Sequence, residues 1–311
     1  METSLWAIGS GKGGTGKSFV AANLGVSLAT RGRDVLLVDT DLGGPNLHTL
    51  LGIREAPVDM SEFLTGRVAS LQETSIPTPV PNLRLIKGTD ELLFIANLNY
   101  LKKKRLLRQI KALQAAHVVL DTGTGSAFNS LDFFLLGRPG TLVITPDPTA
   151  IENGYYFLKS AIIRVLRLYM EFYRMKDLHA RLLEQAEKDS RSLYAFFQKL
   201  QASDPAYGAI LYRALKSFRP GLIVNKARSE RDVLLGRAIS DVAQKYLLVD
   251  LDFLGAIPYD ERVESSLRRL SPFVLDYPTS PVASALDAIA DRLFERSKVP
   301  SREGEVRTAV P

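Results

Sequence analysis

Short apolar runs alternate with longer amphipathic stretches along most of the chain. Runs of only a few residues are typical of strands that are buried on both faces of a parallel sheet. The stretches at 18–30, 102–115, 126–136 and 230–248 have helical spacing. This alternation predicts a doubly wound α/β fold, whose ligands bind beyond the carboxyl ends of the strands. The apolar runs lie at 5–8, 35–38, 83–86, 118–120, 142–144, 222–224 and 253–258.

The stretch 152–220 departs from this alternation because its pattern is helical throughout. A crossover between parallel strands needs one helix, whereas about three fit here, one from 178 to about 200 and another from Pro205 to 218. We therefore predict an inserted helical hairpin. The first helix carries two apolar sets, which predicts packing on two sides: Leu158, Ile162, Leu166, Tyr169 and Tyr173, and also Tyr156, Ile163 and Met170.

The chain is predicted to be one domain at 1–296, with a polar, frayed tail at 297–311. The proline-rich segment 76–81 is expected to be a stiff connector. The N-terminus enters the first strand without a signal peptide, and no apolar run is long enough for a transmembrane helix, so a cytoplasmic protein is expected. Composition agrees, since 46% hydrophobic and 24% charged residues are ordinary for a soluble globular chain.

The chain has no cysteine, which excludes disulfides, cysteine nucleophiles, zinc–thiolate sites and iron–sulfur ligation. His48, His117 and His179 lack metal-ligand spacing. The formal net charge is +6, and the stretch 152–220 holds 12 Lys and Arg against 7 Asp and Glu. Four basic residues at 102–105 open a predicted helix, where a solvated face is expected and nucleic-acid contact is the alternative.

The segment between the first predicted strand and helix matches the phosphate-binding P-loop, G-x-x-x-x-G-K-[ST]. Glycines let the loop aim backbone N–H groups at phosphate oxygens, and the helix N-terminus favours an anion. Lys17 is predicted to reach the β- and γ-phosphates, and the Ser18 hydroxyl to ligate Mg²⁺. The loop comprises Gly11, Lys12, Gly13, Gly14, Thr15, Gly16, Lys17 and Ser18.

Lys12 adds a second lysine inside this loop, giving K-G-G-T-G-K-S. With it, the sequence resembles the MinD/ParA family of P-loop ATPases with a deviant Walker A motif. The phrases D-L-G-G-P-N-L-H-T-L-L-G and I-P-Y-D-E-R-V-E-S-S-L-R-R are most similar to its FlhG-type branch. The resemblance implies a P-loop NTPase fold, ATP and Mg²⁺ as ligands, and an ATP-dependent homodimer. In such a dimer Lys12 would reach the phosphates that the other subunit binds.

The resemblance also implies roles for carboxylates at strand ends. Asp41 would orient or deprotonate the attacking water, with Lys12 and Lys17 as the other catalytic residues. Asp39 and Asp121 would join Ser18 around Mg²⁺. These roles agree with the requirements of phosphoryl transfer. The attacking water must be positioned in line with the phosphoryl group, and cations must stabilise the charge that spreads over the phosphoryl oxygens. The alternative is that these aspartates only terminate strands and cap turns.

The base of the nucleotide is expected near two other strand ends. Asn225 resembles the family's base-recognising position, and Pro258 and Asp260 resemble its adenine-pocket stretch; turn chemistry is the alternative. Phe19 follows the loop where the family commonly has a hydroxyl residue that contacts the α-phosphate.

Three functions are compatible with these features. The favoured one is an ATP-hydrolysing switch that positions or regulates a flagellar, pilus or other polar assembly through an activating or cargo protein. A DNA-binding partition ATPase of ParA type is the near alternative, favoured by a pI of about 9.4 and the basic insertion. A metabolic ligase similar to dethiobiotin or cobyrinate synthetases is the third. No amphipathic membrane anchor is expected after Phe294, where the chain is polar and contains Pro300.

Overall fold

The protein is built around an eight-stranded sheet with the order β3-β4-β2-β5-β1-β6-β7-β8. Our computed structural model describes residues 3–42, 44–89, 100–138, 140–175, 178 and 192–298. Among these residues every strand pairing is parallel except that of β3 with β4. The predicted doubly wound, mostly parallel α/β fold is confirmed. The strands are β1 (Ser4–Ser10), β2 (Val35–Thr40), β3 (Ser75–Pro77), β4 (Leu83–Ile86), β5 (His117–Thr124), β6 (Gly140–Ile144), β7 (Gly221–Ala227) and β8 (Asp252–Pro258).

Helices cover both faces of the sheet, as the side chains of β2 illustrate. Val35 and Leu37 pack with α1 and α12, whereas Leu36 and Val38 pack with α3, α4 and α5 on the other face. The helices are α1 (Lys17–Thr30), α2 (Leu47–Leu50), α3 (Met60–Thr65), α4 (Tyr100–Lys111), α5 (Phe128–Phe134), α6 (Pro148–Phe172), α7 (Ser192–Ser203), α8 (Pro205–Ser217), α9 (Glu230–Val242), α10 (Arg262–Arg269), α11 (Phe273–Asp276) and α12 (Pro281–Lys298).

Helix α1 is buried nearly all round, as its largely apolar sequence allows. One side lies on the sheet, and the other is covered by α12. Polar residues of α1 face partners there, since Ser27 donates to Asp287 at 2.5 Å and Arg31 pairs with Asp287 and Asp291. Burying polar groups costs little free energy when they have hydrogen-bond partners, so α1 can be covered on both sides behind the loop.

Some sequence predictions of local structure are wrong at their edges. The connector at 76–81 begins in strand β3, whose Ile76 pairs antiparallel with Leu85. Strands β2 and β5, predicted to end at Asp39 and Asp121, continue to Thr40 and Thr124. The last helix includes Ser297 and Lys298, so the predicted tail cannot start at 297. Residues 299–311 lie outside the described part of the chain.

The region 152–220 is helical where the structure describes it, but its first helix starts earlier. Asp147 caps α6 by accepting a hydrogen bond from the Ala150 N–H at 2.9 Å, so this helix begins at Pro148. Helix α8 begins at Pro205 as predicted. Tyr156 is 53% exposed, so the predicted second packing side is wrong at that residue. The predicted start of the middle helix falls largely on 179–191, outside the described residues.

Within the described residues, no helix combines the length and apolar character that crossing a membrane requires.

A buried histidine lies at the edge of the sheet opposite the loop. The His117 ring packs between Trp6 and Phe294, with ring centroids 5.4 and 5.6 Å away. Burial lowers the pKa of His117 from its ordinary value of 6.5, and the nearby charge of Arg33 lowers it further. The folded protein therefore favours the neutral imidazole.

Mild acid is expected to destabilise the fold through His117. Because its folded pKa lies below its unfolded pKa, its contribution is complete above about pH 6.5 and is lost as the pH falls. Urea unfolding of the wild type and of His117→Phe between pH 7.5 and 5 would measure this. The variant should lose less stability on acidification, and equal losses would contradict the assignment.

Candidate functional site

The loop joining β1 to α1 has the backbone geometry that its glycines predict. Gly14 and Gly16 have φ angles of +82° and +85°, which side-chain-bearing residues rarely adopt. A Cβ atom on Gly13 or Gly14 would meet no atom within 4 Å, so this part of the loop faces open space. Gly16 caps α1 without a side-chain hydrogen bond, and the first turn contains no acidic residue. The backbone N–H groups in the first turn of α1 are therefore available to an anion.

Lys17 is the cation at the centre of the site. Its side chain is only 4% exposed, and its Nζ lies 2.5 Å from Asp121 Oδ1 and 3.8 Å from Asp41 Oδ2. The same Nζ is 3.4 Å from the Ser18 hydroxyl. The structure thus brings together four of the residues predicted from the sequence, at the carboxyl ends of β2 and β5 and the N-terminus of α1.

The register of β2 against β5 places Asp39 beside Asp121. Asp39 accepts backbone hydrogen bonds from Asp41 at 3.1 Å, Asn46 at 2.8 Å and Leu47 at 3.0 Å. It therefore holds the loop that carries Asp41, which is the turn-capping role named as the alternative for this residue in the sequence analysis. Burial raises the pKa of Asp39 to about 7, and the charge of Asp121 adds to the shift. Burial also raises the pKa values of Asp41 and Asp121, against the pull of Lys17.

The charges and the unpaired buried polar atoms around Lys17 are compatible with a divalent cation bound together with phosphate. Two carboxylates, those of Asp41 and Asp121, pair with one ammonium group, and Asp121 Oδ2 and Thr15 Oγ1 are buried without a hydrogen-bond partner among the described residues. No cluster of three or more His, Cys, Asp or Glu in the described ranges could hold a metal by itself. Mg²⁺ commonly binds through one or two carboxylates plus substrate phosphates. Asp121 and Ser18 are placed for that role.

Lys12 points away from the site of its own chain. Its Nζ donates to Asp147 Oδ1 at 2.8 Å and to Thr149 Oγ1 at 2.6 Å, at the start of α6. Lys12, with help from the Thr145 hydroxyl, holds the pKa of Asp147 well below its usual range. We call this contact the Lys12 latch. Sequence analysis missed Asp147 and Thr149, because nothing in the chain links residues 135 positions apart.

Loop and helix also meet closely through their backbones. A Cβ atom on Gly11 would lie 2.1 Å from the backbone oxygen of Asn153 in α6. Only glycine permits this approach, so the position of α6 is tied to the position of the loop.

Asn225 holds the loop from the side of β7. Its Nδ2 donates to the Thr15 carbonyl at 2.8 Å, and its Oδ1 accepts from the Lys226 N–H at 2.9 Å. Lys226, with a φ of +59°, donates through Nζ to the Gly14 carbonyl at 3.0 Å. The amide of Asn225 is therefore engaged with the loop, and Lys226 is a loop contact that its place beside Asn225 could have suggested.

Asp260 and Phe19 were also predicted to bind the nucleotide, and their side chains contact other parts of the protein. Asp260 makes a bidentate ion pair with Arg262, which lowers its pKa, while Pro258 ends β8 at the same sheet edge as Asn225. The Phe19 ring packs edge-on against Phe273 in the core, with centroids 6.0 Å apart. The Phe19 side chain is therefore engaged in the core, and it carries no hydroxyl that could contact an α-phosphate.

Known proteins resemble this chain in sequence and in fold. A family model described as the CobQ/CobB/MinD/ParA nucleotide binding domain matches residues 6–273. The antiactivator FleN of Pseudomonas aeruginosa is 23% identical over 92% of this chain and 85% of its own length. The flagellum site-determining protein YlxH of Helicobacter pylori is 34% identical over 51% of this chain and 53% of its own length.

The likeness extends to a solved structure and to a relative with different chemistry in its name. MinD from Pyrococcus horikoshii, complexed with Mg-ADP, superposes with a TM-score of 0.62 over 96% of this chain and all of that chain, at 23% identity. An iron–sulfur cluster carrier protein of Aquifex aeolicus is 51% identical over 93% of this chain and 66% of its own length. This chain has no cysteine, so it lacks the thiolates that hold such clusters.

Proposed function

The chain belongs to the CobQ/CobB/MinD/ParA nucleotide-binding domain family, and from that membership we propose that it is an ATP-dependent dimerisation switch. The observation that carries this proposal is the different placement of two lysines in one loop. Lys17 is buried among carboxylates, whereas Lys12 is held outside that site on α6. A second loop lysine that does not serve its own site is available to a second subunit.

In the proposed mechanism this chain's residues bind ATP and place water. Loop N–H groups and Lys17 would hold the phosphates, and Ser18 and Asp121 would hold Mg²⁺, which would neutralise phosphate charge. Asp41, held to Asp39 by its backbone N–H, orients the water that attacks the γ-phosphate. Hydrolysis then releases the loop that carries Asp41 and resets the switch.

Lys12→Ala is expected to bind ATP but to remain monomeric, because the residue that would cross the interface is removed while Lys17 stays. Light scattering with and without ATP, beside calorimetric titration of the nucleotide, measures both properties. A Lys12→Ala protein that dimerises like the wild type would contradict the proposed interface.

Asp147→Asn provides the matched control for this experiment. It weakens the Lys12 latch but keeps the lysine, so ATP should still drive dimerisation, and at lower protein concentration than in the wild type. The wild type itself must dimerise with ATP, since a monomer at every concentration would favour the metabolic ligase.

The proposal also concerns the identity of the assembly that the switch regulates. The names of FleN and YlxH, an antiactivator and a flagellum site-determining protein, support a regulator of a flagellar or polar assembly. DNA is the second candidate, since the stretch 152–220 carries most of the basic excess. A DNA mobility-shift series in increasing salt would test it, because phosphate contacts weaken steeply with salt. Arg174 is an exposed position for charge reversal.

A further inference from the structure

An apolar cavity of about 220 Å³ lies between α6, α9 and the end of β6. Its walls include Ile144 of β6, Ile151 and Leu158 of α6, and Ile239 of α9. Every lining side chain is apolar except for the hydroxyl end of one tyrosine, Tyr155. An apolar cavity of about 150 Å³ already binds benzene. This one is therefore large enough for a whole aromatic or branched aliphatic side chain.

Small residues and an irregular turn border the cavity. Ala238 and Ala243 lie in its wall, where a larger side chain would take up space, and Gly154 lets α6 approach Ile144 of β6, whose side chain a Cβ atom there would meet at 2.8 Å. Helix α9 continues as a π-turn at Ala243–Leu247, and Leu248 then adopts a φ of +60°. Such turns recur at functional sites, and a leucine in this conformation costs energy.

The apolar surface continues outside the cavity along α9. Leu234 and Val242 are 52% and 45% exposed beside the cavity mouth. Helical spacing aligns positions 231, 235, 238 and 242 on one stripe of α9, with Arg231 exposed at its N-terminal end. Lys245 is exposed in the π-turn that follows the other end of the stripe. An amphipathic helix would complement this surface. One large apolar side chain would fit the cavity, and acidic residues would pair with the cation at each end of the apolar stripe.

We propose that this groove docks an amphipathic helix of a partner protein. One large apolar side chain of that helix enters the cavity beside Ala238. Acidic residues about two turns to either side of that anchor, roughly seven positions away, face Arg231 and Lys245. The groove goes beyond the proposed switch, because its occupancy requires neither ATP nor a second subunit.

The groove is also mechanically connected to the loop. Ile151 and Gly154 in the cavity wall flank Asn153, whose backbone oxygen packs on Gly11. A helix seated in the groove therefore bears on the same turns of α6 that carry the Lys12 latch.

Selection from phage-displayed, randomised 14-residue peptides tests the groove on the nucleotide-free protein. Wild type is the target, and Ala238→Phe, which fills the cavity mouth from an exposed helix position, is the counter-target. We expect peptides with a large apolar residue flanked by Asp or Glu about seven positions away, binding Ala238→Phe at least about tenfold more weakly. Arg231→Glu with Lys245→Glu should weaken binding, and Arg237→Glu, exposed on another side of α9, should not.

Thermal melts first establish that each variant is folded. Equal enrichment on wild type and Ala238→Phe, or no enrichment on either, would overturn the proposal. So would stabilisation of the wild type by toluene without any peptide dependence on Ala238, which would make the cavity a site for free small molecules. None of these results depends on ATP hydrolysis or dimerisation. A negative result for the groove therefore does not contradict the proposed switch, which is tested separately.

Discussion

Lys17→Ala is expected to abolish ATP binding and to destabilise the nucleotide-free protein at neutral pH. The variant removes the one cation that Asp41 and Asp121 share within the described site. A buried charge left without its partner costs about 3 kcal/mol or more. The carboxylates can escape that cost by taking up protons, so their folded pKa values rise further above the unfolded ones. The lost stability should therefore return as the pH falls toward 5.

Calorimetric titration with Mg-ATP and urea unfolding at pH 7.5 and 5 measure the two effects. Lys104→Ala, at an exposed position of α4, controls for the loss of one positive charge. Undiminished ATP affinity in Lys17→Ala would rule out the assignment of the loop. Equal destabilisation at both pH values would show that the carboxylates do not depend on this lysine.

Asp41→Ala is expected to bind ATP but to hydrolyse it at least about a hundredfold more slowly. Asp39 is occupied by three backbone N–H groups and Asp121 by Lys17 at 2.5 Å. Asp41 is 26% exposed and 3.8 Å from Lys17, so its carboxylate is the least engaged of the three. It is the group best able to hold a water in line with the γ-phosphate, and without it the ATP-bound dimer should accumulate.

Phosphate release and light scattering of the same samples test this expectation. Asp41→Asn separates two roles, because an amide can orient water but cannot accept its proton. Asp39→Asn should act differently, by loosening the loop that carries Asp41 and so weakening nucleotide binding too. Wild-type hydrolysis by Asp41→Ala would assign the water to another group.

Much of the fold and the loop could be predicted because the relevant signals are local. The glycine spacing of the loop and the short buried runs depend on neighbouring residues, and their positions agree with the strands and with α1. The convergence of Lys17, Asp41 and Asp121 follows from the rule that parallel strands end at one sheet edge. These inferences need no knowledge of distant packing.

The remainder depends on contacts between remote parts of the chain. The attachment of Lys12 to Asp147 and of Asn225 to the Thr15 carbonyl joins residues more than a hundred positions apart. Periodicity likewise could not reveal that α12 would cover the side of α1 that faces away from the sheet. The exposure of Tyr156 was hidden for the same reason, since an apolar stripe does not say which neighbour covers it.

The Lys12 latch sets a concentration threshold for the proposed dimer. In a symmetric pair both latches must open, so the free energy of one latch enters the dissociation constant twice. A partly exposed ion pair contributes about 0.5–1 kcal/mol. Two such pairs would raise the dissociation constant by about five- to thirtyfold. A single side-chain contact, made within one subunit by the lysine that would cross the interface, would thereby determine how abundant the ATP-bound chain must be before it pairs.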